Sequence, residues 1–293
     1  MAALMRVQML GLCRFSYVGL RGYQVEHASY DERRALLYDP ERLARRWFWF
    51  TQVALPAWRA QSDPDFTLVV MTGPDLPEPW LSRLHDLAHE IPQLRLELVP
   101  PMERHLAACR AAVAPHVDPE ADVIGHFRHD DDDAVAIDYI ASARRDFRRV
   151  KALWRAEGKL SLDHSRGLMM RLDAGGLELT PRICHNMGVA LTVFLRPDAE
   201  ETALHYDHSK IGLWMPGVSV PGPLMFIRSI HADSDSGALG PGHPWQADPQ
   251  ALERALWRRF RLRRAALERA ARQAFRGPDG AGPGAASGAG PIG

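Results

Sequence analysis

Cysteine is scarce in this chain: 293 residues contain three, Cys13, Cys109 and Cys184, set far apart with no CxxC or Cys/His spacing. That excludes a disulfide scaffold and a zinc ribbon or finger, and it fits thiols kept in a reducing compartment. Long apolar runs are missing as well, since no segment approaches the roughly 18 uncharged residues that a membrane span needs. The apolar run from Met5 to Cys13 is short and leads into Arg14, not into a small-residue cleavage site, so no secretory signal is expected and the cytoplasm is the default location. No charge of one sign dominates: 36 basic and 36 acidic residues cancel, and bulk electrostatics points to no nucleic acid or acidic polymer as partner. GxxxxGK followed by Ser or Thr is absent, and no GxGxxG follows the first apolar run. These absences argue against a P-loop enzyme and a dinucleotide oxidoreductase.

What stands out instead is an unbroken run of four carboxylates, Asp130, Asp131, Asp132 and Asp133. Like charges this close repel, and burying one without a partner costs several kcal/mol, so the run calls for water or a cation. The approach, Val123 to Arg128, is short and apolar, as for a strand leaving a core. Apolar residues from Ala134 to Ile140 then continue at helical spacing, which puts the acids at a strand-to-helix junction, the ligand edge of open α/β sheets. One or two of the acids could simply cap that helix; capping does not account for all four. A hard divalent cation with oxygen ligands, Mn²⁺ or Mg²⁺, suits such a cluster.

The rest of the chain reads as alternating strands and helices. Arg6 to Leu12 forms a first strand; the polar stretch up to Pro40 carries no clear signal. Leu43, Trp47, Phe50, Val53 and Ala57 predict a helix over Glu41–Gln61, ended or kinked at Pro56. Asp65–Thr72 is β-branched and nearly continuous, as for a strand buried on both faces of a parallel sheet. A helix over Trp80–Ile91, a strand over Leu94–Val99 and a helix near 103–114 complete the approach to the acids. Such alternation predicts an α/β fold with a mostly parallel, Rossmann-like sheet flanked by helices. Beyond the acids, a helix over Ala134–Glu157 precedes strands at Leu168–Leu172, Leu177–Leu179, Gly188–Leu195 and Leu224–Arg228.

Three features combine here: a first strand ending in a loop; Ala60 to Phe66 running into the strand Thr67–Met71; and Phe127-Arg128-His129-Asp130-Asp131-Asp132-Asp133-Ala134. Together they resemble a glycosyltransferase-A fold. More narrowly, they are similar to the bacterial rhamnosyltransferase family, in which Arg-x-Asp-Asp-Asp-Asp-Ala stands at this place. The likeness covers residues 5 to about 235. It implies that residues 1–250 form the catalytic domain, with a nucleotide-sugar half (1–135) and an acceptor half (136–250).

In transferases of that fold, carboxylates of a DxD hold a divalent cation on the two phosphates of a nucleotide sugar. Charge gathers on the leaving diphosphate, and a cation there stabilises it. Two frames are open, Asp130 with Asp132 and Asp131 with Asp133. The resemblance favours Asp132 as direct ligand and Asp130 on the ribose or a metal-bound water, and it offers His231 as a further ligand. By the same likeness Arg14, Phe15 and Ser16 receive the base. Arg128 lies on the strand face of Asp130, where it either holds the diphosphate or merely pairs with the acids. Asp163, Asp207 and His208 are open candidates for the base that deprotonates a saccharide or lipid-linked acceptor.

Residues 251–276 carry nine arginines and two glutamates and predict a basic amphipathic helix, either packed on the domain or drawn to anionic lipid. Residues 277–293, Gly-, Ala- and Pro-rich, are expected to be disordered. Two other functions compete: a metal-dependent phosphohydrolase using His126, His129 and the acids, and a Ca²⁺-binding or scaffold protein, against which the lack of EF-hand spacing counts.

Overall fold

Strand β2 (Thr67–Thr72) shows why the centre of this molecule is a parallel sheet: from Leu68 to Thr72 every residue is buried, as it must be when helices cover both faces. The computed structural model describes residues 5–20, 29–231 and 242–275. The predicted tail from 277 to 293 lies outside the described residues. Around β2 stand β1 (Val7–Arg14), β3 (Leu94–Leu98) and β4 (Val123–Asp130), and all three junctions among these four strands are parallel. Beyond β4 the sheet continues through β9 (Leu191–Leu195), β6 (Leu160–His164) and β10 (Gly217–Val220), in the order β10-β6-β9-β4-β1-β2-β3. β9 is antiparallel to both its neighbours, so the sheet is mostly parallel. A Cβ on Gly11 would stand 2.1 Å from the Phe127 ring, so only glycine lets β1 and β4 lie together with that ring between them.

A second sheet of five strands was not foreseen. It has the order β12-β8-β7-β11-β5 and consists of β5 (Ala134–Val135), β7 (Arg166–Asp173), β8 (Gly176–Ile183), β11 (Phe226–Ser229) and β12 (His243–Pro244). The short β5 corrects the expected strand-to-helix junction. Ala134 and Val135 pair antiparallel with Ile227 and Phe226, and helix α6 (Tyr139–Glu157) begins only afterwards. The acids therefore lie on a turn between two strands. Its N-cap is Asp138, which makes no side-chain capping bond, so none of the four acids is a cap.

Helix α1 (Tyr30–Leu37) lies in the stretch that the sequence left unassigned, and Ser29 and Glu32 close a capping box at its start. The predicted helix over Glu41–Gln61 is broken into α2 (Pro40–Trp49), a π-helical turn at Phe50–Ala54 and α3 (Leu55–Arg59). Pro56 has no N–H for the preceding turn, and the wider π turn absorbs it. Helices α4 (Trp80–Glu90) and α5 (His105–Val113) lie where expected. The predicted strand over Gly188–Leu195 starts three residues late, because Gly188 and Ala190 have left-handed φ of 92° and 57°.

The C-terminal segment is two helices rather than one: α7 (Pro249–Phe260) and α8 (Arg264–Ala274), separated at Arg261 with φ of 60°. Leu256, Phe260, Leu262, Leu267 and Ala271 join the same apolar cluster as the core of both sheets. The apolar face is thus packed within the molecule. Trp257 remains outside at 41% exposure, with the Arg263 and Arg261 guanidinium groups 3.9 and 5.3 Å from its ring centroid. Among the described residues no helix is long and apolar enough to cross a membrane.

Candidate active site

Asp130 closes β4, and parallel register sets Arg14, the last residue of β1, directly beside it. Alternation along the strand puts Arg128 on the face of Asp130. The Arg128 guanidinium donates to both oxygens of the Asp130 carboxylate, at 3.0 and 2.9 Å. Arg14 also reaches His105 of α5, Nη1 to Nδ1 at 3.5 Å.

The other three acids leave the strand in a turn closed by the Asp133 amide on the Asp130 carbonyl at 3.1 Å. Each meets a different partner. Asp131, 1% exposed, is gripped by Arg46 of α2: Nε donates to Oδ2 at 3.0 Å and Nη2 pairs with Oδ1. The remaining nitrogen of that fork, Nη1, donates to Oδ2 of Asp132 at 3.0 Å. The same Asp132 oxygen faces Nε2 of His231 at 2.9 Å. The His231 ring lies flat on Trp49, with centroids 4.6 Å apart and planes at 12°. Asp133 turns the other way, and its Oδ1 accepts the Ser229 amide at 2.9 Å, while the Ser229 hydroxyl donates to the Asp132 carbonyl.

The run consequently does not ionise as a unit. Burial raises the carboxyls of Asp132 and Asp133 alike; at Asp132, Arg46 and His231 overcome it and hold the group well below the usual carboxylate range. At Asp133 the charges of Asp132 and Asp130 add to burial and push it well above that range. The protein itself brings positive charge to the acids through Arg46 and Arg128, and His231 meets Asp132. Arg46 and Trp49 are three residues apart on α2, hence on one face. Nothing local distinguishes Arg46 from Arg42 and Arg45, since Arg45 too has an aromatic, Phe48, three residues on.

The donor chemistry bears on the expected cation. Among the described residues no three His, Cys, Asp or Glu side chains converge as a metal cage. A pair does. Asp132 Oδ2 and His231 Nε2, hydrogen-bonded at 2.9 Å, are a carboxylate oxygen and an imidazole nitrogen that would hold a dication together once Nε2 is unprotonated. Mg²⁺-like ions are commonly held by one or two protein groups with waters and substrate phosphates completing the shell. Asp132 and His231 fit that mode, while Asp133 is committed to Ser229.

Of the residues expected at the base, Arg14 faces the acids. Phe15 is fully buried, with its ring edge-on to Trp47 at 6.1 Å and near Phe50 at 5.7 Å. Ser16 has φ of 46° and accepts from Arg42 Nη1 at 3.3 Å. On the acceptor side, Asp207 is exposed and acts as a cap, its Oδ1 accepting the Ser209 amide at 3.0 Å and hydroxyl at 2.6 Å. His208 donates from Nδ1 to the Asn186 carbonyl at 2.6 Å, which leaves its lone pair on Nε2. Burial, then the charge of Arg128, pushes this imidazole down. Asp163, 2% exposed, stands near the end of β6 and accepts the Ser219 hydroxyl at 2.9 Å.

Next to it, His164 is anchored from α6. Asp146 Oδ2 meets His164 Nε2 at 3.2 Å, and Arg145 and Arg149 donate to the same carboxylate at 2.9–3.0 Å. The His164 hydrogen bond and then, against burial, Arg145 depress the Asp146 carboxyl. A carboxyl depressed in the folded state stabilises fully above its unfolded value near 3.8 and loses that contribution as pH falls. Asp146→Asn is therefore expected to cost about 1.5–3 kcal/mol at neutral pH. The gap to the parent should narrow progressively below about pH 4; denaturant unfolding across that range measures it, and a gap that widens in acid contradicts the assignment.

The hydrolase alternative finds no support. His126 and His129 are 6% and 3% exposed, and burial pushes each imidazole down to about 4. His129 stands edge-on to Trp58 at 5.1 Å, an interior position. The three cysteines are free and buried.

Residues 8–243 match the protein family described as "Putative rhamnosyl transferase". Among curated proteins no match is found. Similar solved structures include S. aureus TarS 1–349, at 8% identity over 76% of this chain and 60% of that one, TM-score 0.38. Its complex with UDP-GlcNAc is 11% identical over 79% of this chain and 60% of that one, TM-score 0.37. The chain thus spans about 60% of the length of these relatives, and likeness at this level carries no argument about fold or function.

Proposed function

This chain belongs to the rhamnosyl transferase family, matched over residues 8–243, and on that premise we propose that it is a cation-assisted glycosyltransferase. It would move a hexose, rhamnose by the family's description, from a nucleoside-diphosphate donor to a saccharide or lipid-linked acceptor. One observation carries this reading: just past the end of β4, Asp132 and His231 meet at 2.9 Å, with Arg14 in register with Asp130 and Arg128 paired to it.

Mn²⁺ or Mg²⁺ held by Asp132 and His231 would supply positive charge to the diphosphate as it leaves. The chain's own residues do the rest. Arg46 keeps Asp132 ionised and aimed, and Trp49 fixes the plane of His231. Arg14 and Arg128 present guanidinium forks, the geometry that suits phosphate oxygens. His208, within electrostatic reach of Arg128 and Asp130, would contact the transferred sugar. Any contact with an anionic membrane would rest on Trp257 and its arginines, because the apolar face of α7 and α8 is packed away.

Thermal unfolding with a panel of nucleoside diphosphates and nucleotide sugars, in Mn²⁺ or in EDTA, tests the proposal. A ligand present at 100 times its Kd adds about 2.7 kcal/mol of stability, so the base that fits should raise the midpoint by several degrees in Mn²⁺ only. No protection by any UDP, GDP or dTDP compound sinks the reading. Protection by Ca²⁺ alone would favour a scaffold.

A further inference from the structure

Three polar side chains meet toward the far end of the same sheet edge, only one of which, Asp163, is picked out by the sequence. Asp163 on β6 and Ser219 on β10 are register partners, and the Ser219 hydroxyl donates to Asp163 Oδ2 at 2.9 Å. That hydroxyl has a single proton. Its second contact, to Nδ1 of His185 at 2.9 Å, therefore has the imidazole as donor. The chain runs from His185 Nδ1–H to Ser219 Oγ–H to Asp163, and it leaves the lone pair of His185 on Nε2. The His185 side chain is 57% exposed, whereas the Asp163 carboxylate is 2% exposed and 3.9 Å from Nδ1. The hydrogen bond from Nδ1–H to Ser219 Oγ, itself held by the buried carboxylate, fixes the ring's tautomer.

The position suits the chemistry. β4 and β6 both pair antiparallel with β9 between them, so they run in the same direction and end on one edge. Two strand spacings, ~10 Å, separate them, and Ser219, which His185 meets, stands one strand beyond β6 on β10. A diphosphate-linked hexose with an incoming hydroxyl is long enough to span a gap of this order. The titratable and charged groups around the chain are Tyr139 from α6, His164 on β6 and Cys184 beside His185, with Arg182 and Arg228 beyond Cys184. Burial pushes the Asp163 carboxyl up, against the Asn186 amide and the Ser219 hydroxyl.

We propose that His185 is the general base for the acceptor hydroxyl, with Ser219 and Asp163 as its positioning residues; this rests on the transferase reading above. The acceptor O–H gives its proton to Nε2 of His185 as the oxygen bonds to the anomeric carbon. The bond from that carbon to the diphosphate oxygen breaks, its electron pair leaves with the nucleoside diphosphate, and His185 returns the proton to solvent.

Two measurements test this on the full chain. Long-range nitrogen–proton NMR should show His185 as the Nδ1–H tautomer in the parent and a mixture of tautomers in Ser219→Ala and Asp163→Asn; an Nε2–H tautomer in the parent overturns the proposal. Nucleoside diphosphate release from UDP-, GDP- and dTDP-sugars, with water as acceptor, gives the rates. His185→Ala should lower kcat by ~10²–10³-fold, within the usual range for a general base, with donor KM and thermal protection unchanged. Ser219→Ala and Asp163→Asn should lower kcat less than His185→Ala, in step with the loss of the Nδ1–H tautomer, with donor KM unchanged. Donor protection with undiminished kcat in His185→Ala overturns the base alone, whereas a parent protected by no nucleotide brings down the transferase reading and the base with it.

Discussion

Asp132→Asn is expected to abolish cation-dependent protection by nucleotides and to lower transfer by ~10²–10³-fold, the scale seen when one electrostatic contact to developing charge is removed. The substitution keeps shape and removes charge. Arg46 retains its pairing with Asp131, which is 1% exposed, so the fold should survive and the effect should appear in binding and rate. Of the two possible DxD frames, only the one containing Asp132 pairs a carboxylate with His231, because Asp131 is filled by Arg46. Asp131→Asn should therefore act mainly on stability. The decisive comparison is thermal protection by the best nucleotide in Mn²⁺ and in EDTA. An Asp132→Asn protein still protected in Mn²⁺ and not in EDTA would show that another group holds the ion.

Arg46→Ala should be the most destabilising single change in the site, by about 3–5 kcal/mol, since it leaves buried carboxylates without their cation. Arg46 and its two partners have side chains 12%, 1% and 9% exposed, far from the screened surface pairs worth under about 1 kcal/mol. Arg46→Lys keeps the charge and loses the fork that spans Asp131 and Asp132, so it should fall between the two. Denaturant unfolding supplies the numbers, and the double change Arg46→Ala with Asp131→Ala should cost less than the separate losses added together. A loss below about 1 kcal/mol for Arg46→Ala would mean that water, not the guanidinium, stabilises the acids in solution.

Legibility followed the range of the interactions. β1, β2 and β4 could be read because strands covered on both faces are continuous apolar runs. Helices α4 and α5 were equally readable from their spacing. β5 could not be: two residues carry no period, and their partners Phe226 and Ile227 stand about ninety residues later. The same held for Arg46, 85 residues from Asp131, and for His185 and Ser219, which are 34 residues apart and ordinary loop and edge-strand residues in sequence. His231 and Asp132 were joined in the sequence reading by family resemblance, and the fold brings them to 2.9 Å across 99 residues.

By itself, the order of residues determined the α/β class, the parallel centre of the sheet and the place of the four acids at the end of β4. Those follow from side-chain period and apolar content, which are local properties of the chain. Tertiary structure alone decided which acid meets which cation, that Asp133 turns inward while Asp132 faces His231, and that Ser219 links His185 to Asp163. Such pairings depend on a long side chain or a backbone amide arriving from a distant strand or helix, and nothing in the local pattern of either partner encodes that meeting.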